Sequence, residues 1–401
     1  MNPELDKLHP YPFEKLAVLK KGITPNPKLE HIALSIGEPK HAAPEFVIQE
    51  LQEQLSGVSA YPLTKGIPEL RQSITDWLTR RFKLPTDSLN IEQHVIPVNG
   101  TREALFAFAQ AVVDRGLNQE KNPLIVMPNP FYQIYEGAAY LSGAEPHYIN
   151  TTAENKYLPD FDAISDETWK RCQLLFVCSP GNPTGAVIDK ATLQKLIKLA
   201  EKHNFIIASD ECYSELYFDE AHPPVGLLEA AAEMGNTEYS RCVVFHSLSK
   251  RSNLPGLRSG FVAGDKEVLA KFLKYRTYHG CAMPLHHQKA SIKAWQDEEH
   301  VKENRALYQK KFNDVLEILG TSLDVKMPDA SFYLWAKTPA SDEDFAQKLF
   351  AEQNITVLPG SYLSRESNGI NPGSQHVRMA LVASYEECIE AAKRIRQFMG
   401  N

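Results

Sequence analysis

Apolar residues recur at two different spacings along the chain, and each change of spacing marks a change of element. Ile67, Leu70, Ile74, Trp77 and Leu78 lie three and four apart, which predicts an amphipathic helix over 67–82. The short run 94–98 then predicts a strand, and 101–114 a helix buried on most sides. Residues 124–127 predict another strand, stopped by Pro128 and Pro130. Apolar runs at 174–178, 205–209, 242–246 and 260–263 predict four more strands. Between the first two of these, Leu193, Leu196, Ile197 and Ala200 share one face of a helix over 190–203.

Short, nearly all-apolar strands separated by helices are what a parallel sheet covered on both faces requires. Residues from about 40 to 280 therefore read as one α/β unit. Downstream, 283–319 is rich in Lys and Glu and predicts one or two long helices. The tail alternates strand (331–337), helix (343–352), two strands (355–358 and 376–381) and helix (385–399), an α+β unit. The Pro-rich start is too short to fold alone and is expected to pack on that smaller unit. The expected division is an arm over 1–40, a large domain over 41–282 and a small domain over 283–401.

Composition narrows the function classes. The 43% hydrophobic and 23% charged fractions are those of a globular chain. With 43 basic and 50 acidic residues the net charge is −7, which disfavours a protein devoted to holding nucleic acid. The six cysteines are scattered singly, without C-x-x-C pairs or histidines at zinc-binding spacing, so free thiols and no metal site are expected. The start is polar and acidic, unlike a signal peptide, and no apolar run approaches the roughly 18 residues of a membrane helix. A cytoplasmic protein is expected.

Sites in open parallel sheets form where the strands end. Four segments there carry chemistry. Asn99-Gly100-Thr101-Arg102 opens a helix, a place for an anion as well as an ordinary N-cap turn. Ser179-Pro180-Gly181-Asn182-Pro183-Thr184-Gly185 holds one amide in a rigid loop. Asp210 closes a buried strand, where a carboxylate is costly unless it caps a helix or meets a cation, and Tyr213 follows. Ser247, Ser249, Lys250 and Arg258 cluster between two apolar strands. A lysine held near other cations in a partly dry site is a nucleophile toward carbonyls, and the hydroxyls and guanidinium suit a phosphate.

Taken together, SPGNPTG, the Asp-x-x-Tyr of 210–213 and the SLSK…GLRSG stretch of 247–260 identify a resemblance to the class I/II aminotransferases, which use pyridoxal 5'-phosphate. It covers nearly the whole chain. It implies fold type I: a large domain with a mostly parallel seven-stranded sheet between helices, plus a smaller α+β domain. Lys250 matches the lysine that bonds to the cofactor, and Asp210 the carboxylate on its ring nitrogen. Asn182 and Tyr213 match the pair at the ring's phenolic oxygen, Tyr132 the stacked aromatic. Gly100, Thr101, Arg102, Ser247, Ser249 and Arg258 fall on phosphate-binding positions. Tyr61 matches a tyrosine reaching the partner subunit's phosphate, which implies a homodimer with shared sites. Arg378 matches the grip on the substrate's carboxylate, with Asn182 beside it and Gly37 in the loop that closes over it. Ser259 departs from the family's usual apolar residue.

The stretches 8–16, 34–41 and 249–258 further resemble members that aminate N-succinyl-2-amino-6-oxopimelate, with glutamate as donor and 2-oxoglutarate as product. Arg276, Lys40 and Lys65 are candidates for the distal carboxylate, Arg276 serving equally as a helix-end charge. Competing expectations are an aspartate, alanine or aromatic aminotransferase, or a C–S β-lyase on the same cofactor. A cofactor-binding regulator is disfavoured, since no segment reads as a helix-turn-helix with a basic face.

Overall fold

The computed structural model describes residues 1–116 and 122–400. Seven strands form its main sheet: β1 (Val95–Val98), β2 (Leu124–Asn129), β3 (Glu145–Asn150), β4 (Cys172–Cys178), β5 (Ile206–Asp210), β6 (Cys242–Ser247) and β7 (Gly260–Gly264). Their order is β1-β7-β6-β5-β4-β2-β3. The run from β6 to β3 is parallel throughout, whereas β7 is antiparallel to both its neighbours. A parallel crossover needs a dozen or more residues and usually a full helix. Between β6 and β7 there is only the four-residue helix Leu248–Arg251 and one short turn, so the chain comes straight back.

The apolar strands are sealed on both faces. One core packs Leu70, Ile74, Trp77 and Leu78 of the Pro68–Phe82 helix with Leu193, Leu196 and Ile197 of the Lys190–His203 helix. The other packs Leu105 and Phe108 of the Thr101–Val112 helix against Phe176, Phe245 and Val262. The smaller sheet contains β8 (Tyr333–Lys337), β9 (Leu358–Pro359) and β10 (His376–Ala380), antiparallel, with β10 in the middle.

Some details depart from the pattern reading. β2 runs through Pro128 to Asn129; its pairing with β4 ends at Val126, so Pro128's missing N–H leaves no gap on that side. Region 283–319 is two helices, Leu285–Gln296 and Glu299–Leu319, broken at 297–298. Edge strand β3 and the Ile134–Ser142 helix had no counterpart in the pattern. The N-terminal segment touches both sheets' surroundings. The Pro12–Leu19 helix packs Leu16 against Leu358 and Tyr362, while Lys7 lies over the Tyr140 ring of the Ile134–Ser142 helix.

Candidate active site

β4, β5 and β6 are parallel neighbours, and β1 points the same way, so their carboxyl ends open on one edge of the sheet. The segments that follow surround one cavity of about 580 Å³. Thr101 and Arg102 come from the end of β1, Tyr132 from β2 and Asn182 from β4. Asp210 and Tyr213 come from β5; Ser247, Ser249, Lys250 and Arg258 follow from β6. Gly37, from the N-terminal segment, and Arg378, on β10, complete the wall. Gly100 lies just behind it with φ +86°, where a Cβ would stand 2.2 Å from Arg258 Nη2. Tyr61 is fully exposed and outside the cavity.

Lys250 Nζ donates to the Gly37 carbonyl at 2.6 Å. Burial pulls its amine down to about 8, and the Arg378 and Arg102 cations push the same way. Gly37 is needed for this approach, because a Cβ there would lie 2.0 Å from Tyr333 Oη. Asp210 is buried, accepting from Tyr135 Oη at 2.6 Å and from the Cys212 N–H at 3.3 Å. Among the described residues no cation forms an ion pair with it, and burial pushes its carboxyl up. Arg378 donates to Asn182 Oδ1 at 3.0 Å and to the Ser35 carbonyl at 2.9 Å, while among the described residues its buried Nε has no partner. Tyr213 and Tyr333 share a hydroxyl contact of 3.1 Å, and the Tyr333 ring lies 4.3 Å from the Arg378 guanidinium.

Arg276 is overturned as a distal-carboxylate candidate. Its side chain is completely buried; Nη1 donates to both Glu103 carboxylate oxygens at 2.8 and 3.0 Å and Nη2 to the Cys281 carbonyl at 3.0 Å, and Arg276 does not line the cavity. Lys65 pairs with Glu92 at 2.6 Å and Lys40 is exposed; neither lines this cavity. The Arg102 guanidinium instead reaches the cavity mouth, donating to Tyr132 Oη at 2.6 Å and toward Tyr11 Oη at 3.4 Å. Ser259 is buried against Ser291, Oγ to Oγ 2.7 Å, which satisfies the polar group at an apolar position. Sequence reasoning gave no role to Tyr135, Tyr333 or Tyr11. Tyr333 lies in the strand predicted over 331–337 and Tyr11 in the stretch 8–16, but nothing in a stretch tells which group a hydroxyl will meet.

The donor set fits one kind of group. A buried carboxylate lacking a cation suits a protonated ring nitrogen, and an amine lowered to about 8 suits an aldehyde. The free N–H groups at the start of the Thr101–Val112 helix, two serine hydroxyls and Arg258 suit a phosphate. Together they define a site for a phosphorylated pyridine aldehyde. The chain belongs to the class I and II aminotransferases, whose family model matches residues 30–395. That family is pyridoxal-phosphate-dependent and moves amino groups between small amino and oxo acids. An aminotransferase from Neisseria meningitidis is 49% identical, with 99% of this chain and 100% of that one covered and a TM-score of 0.94. Aminotransferase AspB from Helicobacter pylori is 36% identical over 98% and 99% of the two chains, TM-score 0.88. The LL-diaminopimelate aminotransferase of Maridesulfovibrio salexigens is 32% identical over 98% of this chain and 97% of that protein.

Proposed function

We propose that this aminotransferase moves an amino group between glutamate and the far carbon of a diaminopimelate-type diacid, with N-succinyl-2-amino-6-oxopimelate as acceptor. The observation that carries the reading is the pair of guanidiniums that the cavity holds besides Arg258, Arg378 in its wall and Arg102 at its mouth. Two arginine forks suit two of the acceptor's three carboxylates, the one beside the oxo group and the succinyl terminus. Tyr11, Pro12, Phe13 and Ile36 make the outer wall. An acylated nitrogen brings no charge onto that wall, and its terminal carboxylate has Arg102. A second reading, LL-diaminopimelate itself, has two supports. Relatives bear that name, and Glu38 also lines the cavity, where its carboxylate suits a distal ammonium.

In this reading Lys250 would hold the cofactor, and its amine would take the proton from the substrate's amine-bearing carbon. Asp210 would keep a proton on the ring nitrogen, and Asn182 and Tyr213 would bind its phenolic oxygen. Thr101 and Arg102 backbone N–H groups, Ser247, Ser249 and Arg258 would hold the phosphate, Gly100 giving them room, and Tyr132 would cover the ring. The cofactor supplies the ring that accepts the electrons left on that carbon. Arg378, with Asn182 beside it and Gly37 above, grips the near carboxylate.

The working unit in this proposal is a cytoplasmic homodimer. Support comes from Leu55, Val58, Tyr61 and Leu63, apolar residues standing exposed on one short segment. We also divide the chain at 40 and 282, which puts Lys250 and Arg378 on different domains.

The test is a panel with 2-oxoglutarate and purified holoenzyme, comparing N-succinyl-LL-diaminopimelate with LL-diaminopimelate. A kcat/KM roughly 10–100-fold higher for the succinylated donor is expected, the scale of one charged contact. The reverse order establishes the second reading. Faster turnover of aspartate, alanine or an aromatic amino acid, or release of a thiol from cystathionine without an oxo acid, discards both.

A further inference from the structure

Helix Glu299–Leu319 buries a polar stripe. Asn304, Tyr308 and Lys311 lie four and three positions apart on one face, and none of them lines the cavity. Lys311 is only 2% exposed, yet among the described residues no carboxylate forms an ion pair with it. Its ammonium donates to His41 Nε2 at 2.7 Å, to the Ala383 carbonyl at 2.5 Å and toward the Leu381 carbonyl at 3.4 Å. A lysine ammonium has no acceptor, so Nε2 is unprotonated and Nδ1 carries the ring proton. That proton goes to Asn304 Oδ1 at 2.8 Å, which also accepts from Asn253 Nδ2 at 3.0 Å. The His41 ring lies 4.5 Å from the Tyr308 ring.

Burying an ammonium without a counter-ion is costly, and the Tyr308 ring, 5.3 Å from Nζ, offsets only part of that cost. What it joins is informative. His41 ends the loop that carries Gly37 and Glu38; residues 381–383 follow β10, which carries Arg378; Asn253 follows Lys250 by three positions. The loop's other end is already fixed to β10, because Arg378 Nη2 donates to the Ser35 carbonyl and the Ala380 N–H to the Leu34 carbonyl at 2.7 Å. Residues 36–40 thus span two anchors, one on β10 and one on Lys311.

We propose that Lys311 is a positioning residue that, through His41, sets the 36–40 loop over the cavity and so governs how tightly Arg378 and Gly37 hold the substrate's carboxylate. The proposal rests on the reading of Arg378 as the carboxylate grip. It places a determinant of substrate affinity outside the cavity, on a helix that touches no substrate.

The experiment measures glutarate, a diacid with no group to transfer, binding to holoenzyme by calorimetry, together with KM and kcat for glutamate, cofactor absorbance and Tm. Lys311→Met removes the charge, and His41→Phe removes the acceptor while keeping an aromatic ring on Tyr308. In each variant Kd and KM rise roughly tenfold or more, kcat stays within about threefold, and cofactor absorbance is retained. An unchanged Kd, or a parallel fall in Tm, kcat and cofactor content, overturns the proposal; if one variant does not fold, the other decides. Arg378→Lys is the control for the underlying reading. If that variant binds glutarate as wild type does, the grip is misassigned, whatever the Lys311 and His41 variants do.

Discussion

Replacing Tyr135 with phenylalanine removes one hydroxyl from a fully buried ring and little else. The ring is stacked on Phe176 with centroids 4.6 Å apart and 15° between planes, a contact phenylalanine keeps. What is lost is the 2.6 Å hydrogen bond to Asp210 Oδ2. A bond to a charged acceptor is worth about 1.5–3 kcal/mol, and 1.36 kcal/mol is one pKa unit, so the carboxyl should rise by about 1–2 units. The sign is upward because the bond favours the ionised form, and burial already pushes the group that way. If ionised Asp210 holds the ring nitrogen's proton, the acid limb of kcat/KM for glutamate moves to higher pH by the same 1–2 units, roughly a 10–100-fold loss at a fixed acidic pH. The alkaline limb stays in place. Stability carries the same signature. Deleting a donor to a buried carboxylate costs the apoprotein most at neutral pH. That cost shrinks as pH falls through the two folded-state carboxyl values, both of which lie above the ordinary carboxylate range. Rate–pH profiles and urea unfolding at two pH values test both halves. An acid limb that moves by less than about 0.3 unit would refute the reasoning, since the bond would then not be supporting the charge.

Lys250 should be the site of cofactor attachment on borohydride reduction, with an adduct yield in the apoprotein that rises through a midpoint near pH 8. The neutral amine is the reactive form, so at that pH about half of Lys250 is available against about 0.3% of an ordinary lysine. Peptide mapping that finds the adduct elsewhere, or a midpoint above about pH 10, counts against the assignment. Arg102→Gln should weaken a long diacid by roughly 10–100-fold in kcat/KM and an amino acid without a distal carboxylate by far less, and equal losses would assign Arg102 to the cofactor alone. Light scattering should report about twice the 45.1 kDa chain mass, and Tyr61→Ala should weaken cofactor retention; a fully active 45 kDa species excludes the shared site.

The strand-end loops were legible because each strand's apolar run stops sharply and the Gly, Pro and Ser residues that follow are local signals. The Lys190–His203 helix was legible at both ends for the same reason, with Asp189 as N-cap and Asn204 in the left-handed region as C-cap. β3 was not, because it is an edge strand whose exposed and half-buried residues lack an apolar run. The direction of β7 depends on how the intervening loop folds back, which no period in the sequence encodes. Arg276 misled for a related reason. A sequence displays the charge but not the partner, and Glu103 lies 173 positions away. Tyr135, Tyr333 and Lys311 acquire their roles from tertiary neighbours 75, 120 and 270 positions distant, beyond the reach of any local pattern.

The insertion of β7 between β1 and β6 has a bearing on folding. Arg258, just before β7, bonds to the Asn99 carbonyl just after β1, 159 positions earlier, and Ser247 closes β6 on the other side. The candidate phosphate cradle therefore exists only when three strands from distant parts of the chain lie side by side. Such long-range pairing is the slow part of assembling a sheet. During refolding, helical signal should return before the ability to capture pyridoxal phosphate does. Cofactor capture in this protein would then serve as a clock for closure of the sheet's edge, and cofactor added early would not accelerate the steps that precede it.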